Sequence, residues 1–520
     1  MRSTFAGLNT MVRGVNANRL SLDTVGHNIT NASTEGYSRQ SVNLSATTAQ
    51  EYYSAYGAQL VGTGVDSLSI TRARNIYADK QYWKENGEKG YYDTRQTDYD
   101  KIEAIFNDST KTGIQNAMEK FYQSWVDLST TASNTSSRTN VVENGKVFAD
   151  RLKTATGQLQ QQIQANYDDL DANVTKVNQL TDQIVELNKN IMSLESTGSN
   201  ANDLRDKRDL LTDELAGYVN IDVYEESNGM YTVVSNGASL VSGINKLTVG
   251  LSAPKPNETY GVTDRGLIIV DTGTVYMPTT GKLKANQDCI AANKEYIDDI
   301  TNMASFMLTT FNDQHKAGFG MKGNAIDPAK TNINFYGETG ETFTMQYDAN
   351  GNFDGRIQLS NGSMVSGVQI IDMLTVNSVI TQPDGTAYIA ACGCTAANPN
   401  GTADGSNATL LSTLFNMTQD NTVDTTTVRS IGKTSLNGYY HAVMTELGVN
   451  ANSVDNDVTA QDQIVTQVQN WRDSTSGVNW NEELTHMITF QQGFAACSRC
   501  LTTMDEMLDK LINGTGTVGR

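Results

Sequence analysis

Apolar residues at Phe5, Leu8, Val12, Val15, Leu22 and Ile29 recur in steps of three, four and seven, which keeps one stripe on one face of a helix. The chain then loosens from Asn28 to Gly64, where "TEGYSRQSVNL" and "AQLVGTGVDSLSI" read as turns and short extended pieces. From Arg74 to about Gly217 helical spacing dominates, with Ile114, Met118, Phe121, Trp125 and Leu128 on one face. Leu152, Leu159, Ile163, Leu170, Val177, Leu180, Ile184, Leu187, Ile191 and Leu194 keep near-heptad phase, with polar Thr156, Asn166 and Asn173 at the missing positions. This run predicts a helical rod on the order of 60 Å long, at about 1.5 Å per residue.

After Ala216 the period changes from helical to alternating. "NIDVYEESNGMYTVVSNGASLVSG" carries two Asn-Gly pairs, and "FTMQYDANGNFDGRIQLSNGSMVSGVQII" two more, each a strong hairpin signal. A helix at Ile290 to Phe311 separates these β segments. A Thr- and Asn-rich stretch from Asn398 to Thr427 reads as polar loop, and helical pattern returns at Leu436 to Leu447 and Ile464 to Trp471. The last helix answers the first: Met487, Phe490, Phe494, Cys497, Leu501, Met504, Leu508 and Leu511 form a second stripe without a neighbour in sequence. Two complementary stripes at the termini predict a chain that runs outward, retraces its path and lays its ends side by side. The fold class expected is α+β and multidomain: paired terminal coiled-coil helices, an elongated helical rod and a central β-rich region interrupted by a helix.

Composition narrows the functions. The 520 residues, enough for roughly three or four domains, carry 38 Lys plus Arg against 58 Asp plus Glu, a net charge of −20. That field repels nucleic acid and anionic lipid, so neither is an expected partner. Mean hydropathy is −0.41, and no uninterrupted apolar run approaches the roughly 18 residues of a membrane span. The opening "MRSTFAGLNTMVRGVNANRL" has no apolar core followed by a cleavage site, so no cleaved secretory signal is expected. Five cysteines imply no disulfide framework.

Candidate chemistry is sparse. "GFGMKG" at Gly318 to Gly323 fits a dinucleotide fingerprint but follows a helix, so it reads as a helix stop and loop. "DANGNF" from Asp348 imitates a calcium loop, yet Phe353 stands where glycine is required and Leu359 where the bidentate glutamate belongs. His27, His315, His441 and His486 form no metal motif and read as satisfied polar groups. Cys497 and Cys500 lie one helical turn apart and read as seam filling. The charges of "NDLRDKRDLLTDEL" read as i,i+4 ion pairs on a solvated helix. No catalytic residue, metal ligand or cofactor site is expected, and the chain does not read as an enzyme.

"GHNITNASTEGYSRQ", "VDSLSITRARNIYADKQY", "MEKFYQSWVDLSTTASNTSSR", "DQIVELNKNI", "NDLRDKRDLLTDELA", "FNDQHKAGF" and "SGVNWNEELTHMITFQQGFAACSRCLTTMDEMLDKLIN" occur in this order. Together they resemble the bacterial flagellar axial proteins, most closely the hook-associated protein 1 (FlgK) family of the hook–filament junction. The resemblance spans nearly the whole chain, with departures at Glu35, where the family commonly has proline, at Trp480 and Asn481 in place of leucine and aspartate, and at Cys497 and Cys500 in place of small residues. It implies a homo-oligomeric ring or helical layer in the extracellular flagellum, in contact with hook protein, the next junction protein and the filament. It also implies type III export without a cleaved signal, and a cytoplasmic chaperone on the C-terminal helix.

On that resemblance residues 1–66 form the N-terminal half of a tube-lining helical domain with its connecting arm, and 67–219 the outgoing helical rod. Residues 220–425 form the β-rich region with a helix at 287–314, 426–475 the returning rod and 476–520 the C-terminal half of the tube-lining domain. The assembly interface expected is Phe5, Leu8, Val12, Val15, Leu22 and Ile29 with Met487, Phe490, Phe494, Leu501, Met504, Leu508 and Leu511. Tyr37 and Arg39 would anchor the turn after the first helix against a neighbour; an ordinary interdomain loop is the rival reading there. Another axial protein, such as hook–filament junction protein 3 or a flagellin, and a flagellum-borne adhesin or enzyme acting through the β region, are the alternatives for the whole chain.

Overall fold

The computed structural model describes residues 6–54, 57–106, 113–322, 325–349, 353–393, 404–416 and 435–514. Helix α1 (Ala6–Thr30) leads into an arm of four strands, β1 (Gln40–Ala46), β2 (Gln50–Ser54), β3 (Gly57–Val61) and β4 (Val65–Arg72). In it β1 pairs antiparallel with β4 at the root, and β2 with β3 beyond. The rod then begins with α2 (Ile76–Phe106), α3 (Ile114–Thr130), α4 (Thr135–Glu195) and α5 (Asn202–Tyr218). Asn134 caps α4, its side chain accepting from the Ser136 amide. At 61 residues α4 is about 90 Å long, of which the heptad run from Leu152 is the larger part.

That run is buried from Leu152 to Ile191, with Leu187 only half covered; Leu194, in the final turn, is 48% exposed. Two of the polar positions within it, Thr156 and Asn166, are buried as well. Asn166 Nδ2 and Gln162 Nε2 donate to Asp98 Oδ1 at 2.8 and 2.7 Å, and Asn293 Nδ2 donates to Asp98 Oδ2 at 2.8 Å. A buried carboxylate held by three amide donors thus replaces an apolar layer in the rod.

Strands β5 (Asp222–Glu225), β6 (Tyr231–Ser235), β7 (Ala238–Ser242) and β8 (Asn245–Lys246) form an antiparallel meander in that order. Asn236 and Gly237 turn β6 into β7 with φ of 43° and 82°, the positive values that make Asn-Gly a hairpin signal. Next come β9 (Val249–Leu251), β10 (Lys255–Asn257), β11 (Val262–Asp264), β12 (Leu267–Ile269) and β13 (Thr274–Val275), arranged as a β10–β11 hairpin and a sheet ordered β13-β12-β9. Helix α6 (Lys282–Phe306) passes through a π turn at Met307–Phe311 into α7 (Asn312–Ala317). The pairs of β14 (Phe319–Lys322) with β15 (Ala325–Thr331), and the sheet of β16 (Thr344–Tyr347), β17 (Phe353–Gln358) and β18 (Met364–Ser366), follow. Short helices α8 (Val368–Asp372), α9 (Ser378–Thr381) and α10 (Ser406–Thr413) precede the returning α11 (Leu436–Ser476) and the terminal α12 (Trp480–Gly514). The fold is α+β and multidomain, as expected.

Three local readings change. The two helical patches at 436–447 and 464–471 belong to one 41-residue helix. Its middle carries a stripe of small apolar residues, Ala451, Val454 and Val458, packed on the core, and beside it polar groups bind α2: Gln461 Nε2 donates to Glu85 Oε2 at 2.7 Å, Gln96 Nε2 to Asp455 at 2.7 Å, and Lys89 pairs with Asp462. "GFGMKG" does stop a helix, but continues as β14 rather than a loop; Gly323 lies outside the described residues. The polar stretch from Asn398 contains α10, and the rest of it falls largely outside the described residues. The "DANGNF" turn lies partly outside them too, though Tyr347 and Phe353 pair across its flanks.

One hydrophobic cluster runs from Trp83 to Val454 through rod and β region, and it contains no residue of α1, the arm or α12. Its densest part is aromatic, Phe121 being ringed by Trp125, Phe148, Phe311, Phe335, Tyr336 and Phe415. Gly145 of α4 admits two of these rings: a Cβ there would lie 2.8 Å from Phe335 and 3.1 Å from Phe121.

Candidate assembly interface

Helices α1 and α12 lie antiparallel in a constant register. Gly7 faces Met504, Gly14 faces Cys497, Asn18 faces Gly493 and Asn28 faces Glu483, pairs whose numbers always add to 511. The approach is close: a methyl on Gly14 would meet Cys497 Sγ at 3.0 Å, and one on Gly7 would meet Met504 Cε at 3.1 Å. The same register sets Thr10, Ala17, Ser21 and Thr24 against Leu501, Phe494, Phe490 and Met487. Small residues of α1 therefore receive large residues of α12.

This places the expected interface residues unequally. Met487, Phe490, Phe494, Leu501, Met504 and Leu508 are half-buried, and Phe5 lies outside the described residues. Leu511 is 59% exposed. On α1 the buried residues are Ala17, Ser21, Thr24, Val25 and Asn28. The stripe of Leu8, Val12, Val15, Leu22 and Ile29 lies roughly 100° around the helix from Gly14. Val12 is 39% exposed and the other four are half-buried. In this register the α12 stripe faces the small residues of α1, and the large residues of α1 lie beside that seam. Of the cysteines, Cys497 fills the seam, while Cys500 is exposed and does not. Cys289 is free and buried, and Cys392 is disulfide-bonded.

The turn "HNITNASTEGYSRQ" clasps this pair to the arm. Asn28 Nδ2 donates to the Gln40 carbonyl at 2.9 Å and to Glu483 Oε2 at 3.0 Å. Asn28 Oδ1 accepts from the Gln40 amide at 2.9 Å and the Tyr37 hydroxyl at 2.8 Å. Arg39 donates its backbone N–H to the Ser476 carbonyl at 2.8 Å and pairs with Glu482 at 3.2 Å. Tyr37 and Arg39, expected to anchor the turn against a neighbour, hold it through partners in their own chain. Gly36 reverses the backbone at φ 76°, a value glycine accepts without strain.

Below the clasp lies a buried ionic cluster that the charge pattern of α5 conceals. Asp206, Asp209 and Asp213 share one face of α5 at helical spacing and point inward. Arg72 Nη1 contacts Asp206 at 2.6 Å and Asp209 at 2.8 Å; Arg74 bridges Asp79 at 2.9 Å and Asp209 at 3.5 Å. Arg472 of α11 reaches Asp79 at 3.0 Å and Asp213 at 2.7 Å. This helix is not solvated, and its ions pair across elements because Arg72 and Arg74 project from the same side of one extended segment. Burial opposes the charge on Asp209, but Arg74 and Arg72 hold its carboxyl below the usual carboxylate range. Burial wins at Asp213, pushed up to about 6 against the pull of Arg472 and Arg74.

Chemistry beyond electrostatics finds little to work with. Among the described residues no group of three His, Cys, Asp or Glu is placed to hold a metal ion. His315 is buried and pushed down to about 4 by burial; its Nδ1 donates to the Ile333 carbonyl at 2.7 Å and its Nε2 accepts from the Ala390 amide at 3.1 Å. It is a satisfied core residue.

Residues 99–329 match the family described as the flagellar hook-associated protein FlgK helical domain, and 472–514 the flagellar basal body rod FlgEFG protein C-terminal family. The second match covers α12 and the clasp residues Glu482 and Glu483. Over 100% of both chains the sequence is 30% identical to flagellar hook-associated protein 1 of Bacillus subtilis. The chain belongs to the FlgK family of flagellar hook-associated proteins. It is also 25% identical to hook-associated protein 1 of Escherichia coli, over 97% of this chain and 99% of that one. The flagellar hook junction protein FlgK from Burkholderia pseudomallei shares its fold, with a TM-score of 0.58 over 76% of this chain and 100% of that chain at 16% identity. As a FlgK-family member the chain is a structural axial protein of the hook–filament junction, and so a component of the extracellular flagellum. No helix among the described residues is long and apolar enough to cross a membrane.

Proposed function

We propose that the chain works as an adaptor without catalytic activity, polymerising as a ring or short helical layer through heterologous contacts between identical copies. The observation that carries this reading is the clasped α1–α12 pair, which uses small residues of α1 internally and leaves the stripe of Leu8, Val12, Val15, Leu22 and Ile29 for neighbours. Leu508 and Leu511, at the open end of the pair, join that surface, and the sequence pattern assigns Phe5, outside the described residues, to it as well. Residues 1–66 and 476–520 then line the tube, the rod of 67–219 and 426–475 surrounds it, and the β region of 220–425 lies outermost. Hook protein contacts one side of the layer, and the next junction protein and filament the other. Export proceeds by the type III route without a cleaved signal, with a cytoplasmic chaperone on α12 until assembly.

The test locates the chain in flagella through a label on exposed Cys500, with cells lacking the chain as a comparison. Label confined to the hook–filament boundary, and filament subunits escaping into the medium when the chain is absent, support the proposal. Label spread along the filament, or normal filaments without the chain, overturns it.

A further inference from the structure

Among the described residues the outer half of the arm pairs with no other strand. The β2–β3 hairpin is two strands alone, with both edges unpaired, and an isolated two-stranded hairpin is marginal in water. Its pairing sets Glu51 opposite Leu60 and Tyr53 opposite Ala58, so these four residues share one face. Tyr53 is 74% exposed and Leu60 73%, and the Tyr53 hydroxyl donates to Glu51 at 2.9 Å. This is an apolar face with one carboxylate at its end.

A surface of matching character occurs on α1. Leu8, Val12, Val15 and Arg19 fall within a strip about 60° wide on a helix of 3.6 residues per turn. Arg19 is exposed and has no ion-pair partner among the described residues. The separation from Val15 to Arg19 is about 6 Å along the helix, and that from Tyr53 to Glu51 about 7 Å along the strand. Tyr53 over Val15 therefore brings Glu51 to Arg19.

The hairpin cannot reach this strip in its own chain. The arm is rooted against Thr10, whose Cα lies 3.4 Å from a Cβ built on Gly64, and by the Arg13–Asp66 pair at 2.8 Å. Thr10 and Arg13 lie roughly 150° around α1 from the strip.

We infer that the β2–β3 hairpin of each copy docks on the Leu8–Val12–Val15–Arg19 strip of α1 in a second copy, a head-to-tail contact with Glu51 and Arg19 paired across it. Each copy supplies one hairpin and one strip, so the contact propagates around a layer without leaving either face bare except at a break. The inference rests on the self-assembly reading above and names the surfaces that meet.

Full-length chains in a Cys497→Ala/Cys500→Ala background test it. One chain carries Tyr53→Cys and the other Val15→Cys; they are mixed in equal amounts, polymerised and oxidised. Crosslinked dimer at least about tenfold above either chain alone, and above a control with Cys at exposed Tyr77 in place of Tyr53, is the expected result. Glu51→Arg and Arg19→Glu should each raise the concentration needed for polymerisation about two- to fivefold, and together return it to within about twofold. Polymer without the crosslink, a crosslink confined to single chains carrying both cysteines, or no rescue by the double reversal overturns the inference and leaves self-assembly standing. Failure of the unaltered chain to polymerise under any condition overturns the self-assembly reading itself.

Discussion

Replacing Asn28 with alanine removes the group on which the clasp converges. Asn28 is 1% exposed and makes four hydrogen bonds: to the carbonyl and amide of Gln40, to the Tyr37 hydroxyl and to Glu483. Truncation strands the Gln40 backbone groups and the Glu483 carboxylate, which is 3% exposed. An orphaned buried polar group costs about 1–3 kcal/mol, and a carboxylate more. A cleft of about 240 Å³ lined by Ser21, Thr24, Gln40 and Glu483 lets water reach part of the site, so the expected loss is about 2–4 kcal/mol. The loss is local, because the main hydrophobic cluster includes nothing from α1 or α12.

Hydrogen exchange on the full-length chain should therefore show protection at Ala17 to Asn28 and Glu483 to Phe490 falling about 30- to 700-fold, with Leu152 to Ile184 unchanged. In the parent chain protection should decline from the clasp toward Gly7, where only the partly exposed seam holds the helices. Asn31→Ala, which loses two exposed bonds, one to the His27 carbonyl and one from the Thr34 hydroxyl, should stay within about 0.5 kcal/mol of the parent. Protection of the pair unchanged in Asn28→Ala, or an equal fall in α4, would refute the idea that this residue ties the termini independently of the rod.

Met504→Asp, which sets a carboxylate over Gly7, should leave a soluble chain with its β circular dichroism intact that no longer supports filament growth, whereas Lys510→Asp should be tolerated; equal behaviour of the two would remove the seam from assembly. Asp213, raised to about 6 by burial, binds a proton in the folded chain between about pH 4 and 6 that the unfolded chain has released, so its contribution to stability falls as pH rises through that window. Asp213→Asn should flatten that slope by about 1–2 kcal/mol in urea titrations, and an identical slope would contradict the assignment. Cys500 should alkylate readily in the native chain and Cys289, buried with its thiol pushed up by burial, should not; Cys497→Ala with Cys500→Ala should leave motility nearly intact. A fragment of residues 67–475 retains Arg72, Arg74 and Arg472 and should unfold cooperatively, the urea transition being the check.

Much of the architecture was legible because it rests on period and turn chemistry. The heptad run in α4 and the Asn-Gly turns of the β meander are local signals that the fold obeys. Features that depend on distant partners were not legible. The middle of α11 carries only small apolar residues, Ala451, Val454 and Val458, and is held to α2 by Gln461 and Asp462 as well. The carboxylates of α5 look solvated until Arg72, Arg74 and Arg472 arrive from segments far away in sequence. A signal for that burial does exist: Asp206, Asp209 and Asp213 fall on one face, and two arginines stand two apart in "TRAR". Only the fold says that the two sets meet.

The terminal helices show how a correct pattern can attach to the wrong contact. Apolar periodicity reports which positions are buried somewhere, without saying by what. On α12 the stripe is covered by the chain's own α1, so the pattern and the intrachain contact coincide. On α1 they separate. The intrachain seam is written in Gly7, Gly14, Ala17, Ser21 and Asn28, a heptad of small and polar residues that no hydrophobicity scan selects, and the large residues stand beside it. A soluble monomer has no use for such a stripe, whereas a subunit that must pack laterally needs two faces on one helix. Close approach on the first face explains why Gly7 and Gly14 stand seven residues apart, and the proposed assembly assigns the Leu8–Val12–Val15 stripe on the second to the polymer. If glycine at positions 7 and 14 served only local flexibility, alanine at both would leave the α1–α12 pair intact. The distances of 3.1 and 3.0 Å to Met504 Cε and Cys497 Sγ instead require those side chains to give by a few tenths of an ångström at each contact, and the expected outcome is a pair that loses protection first at its open end.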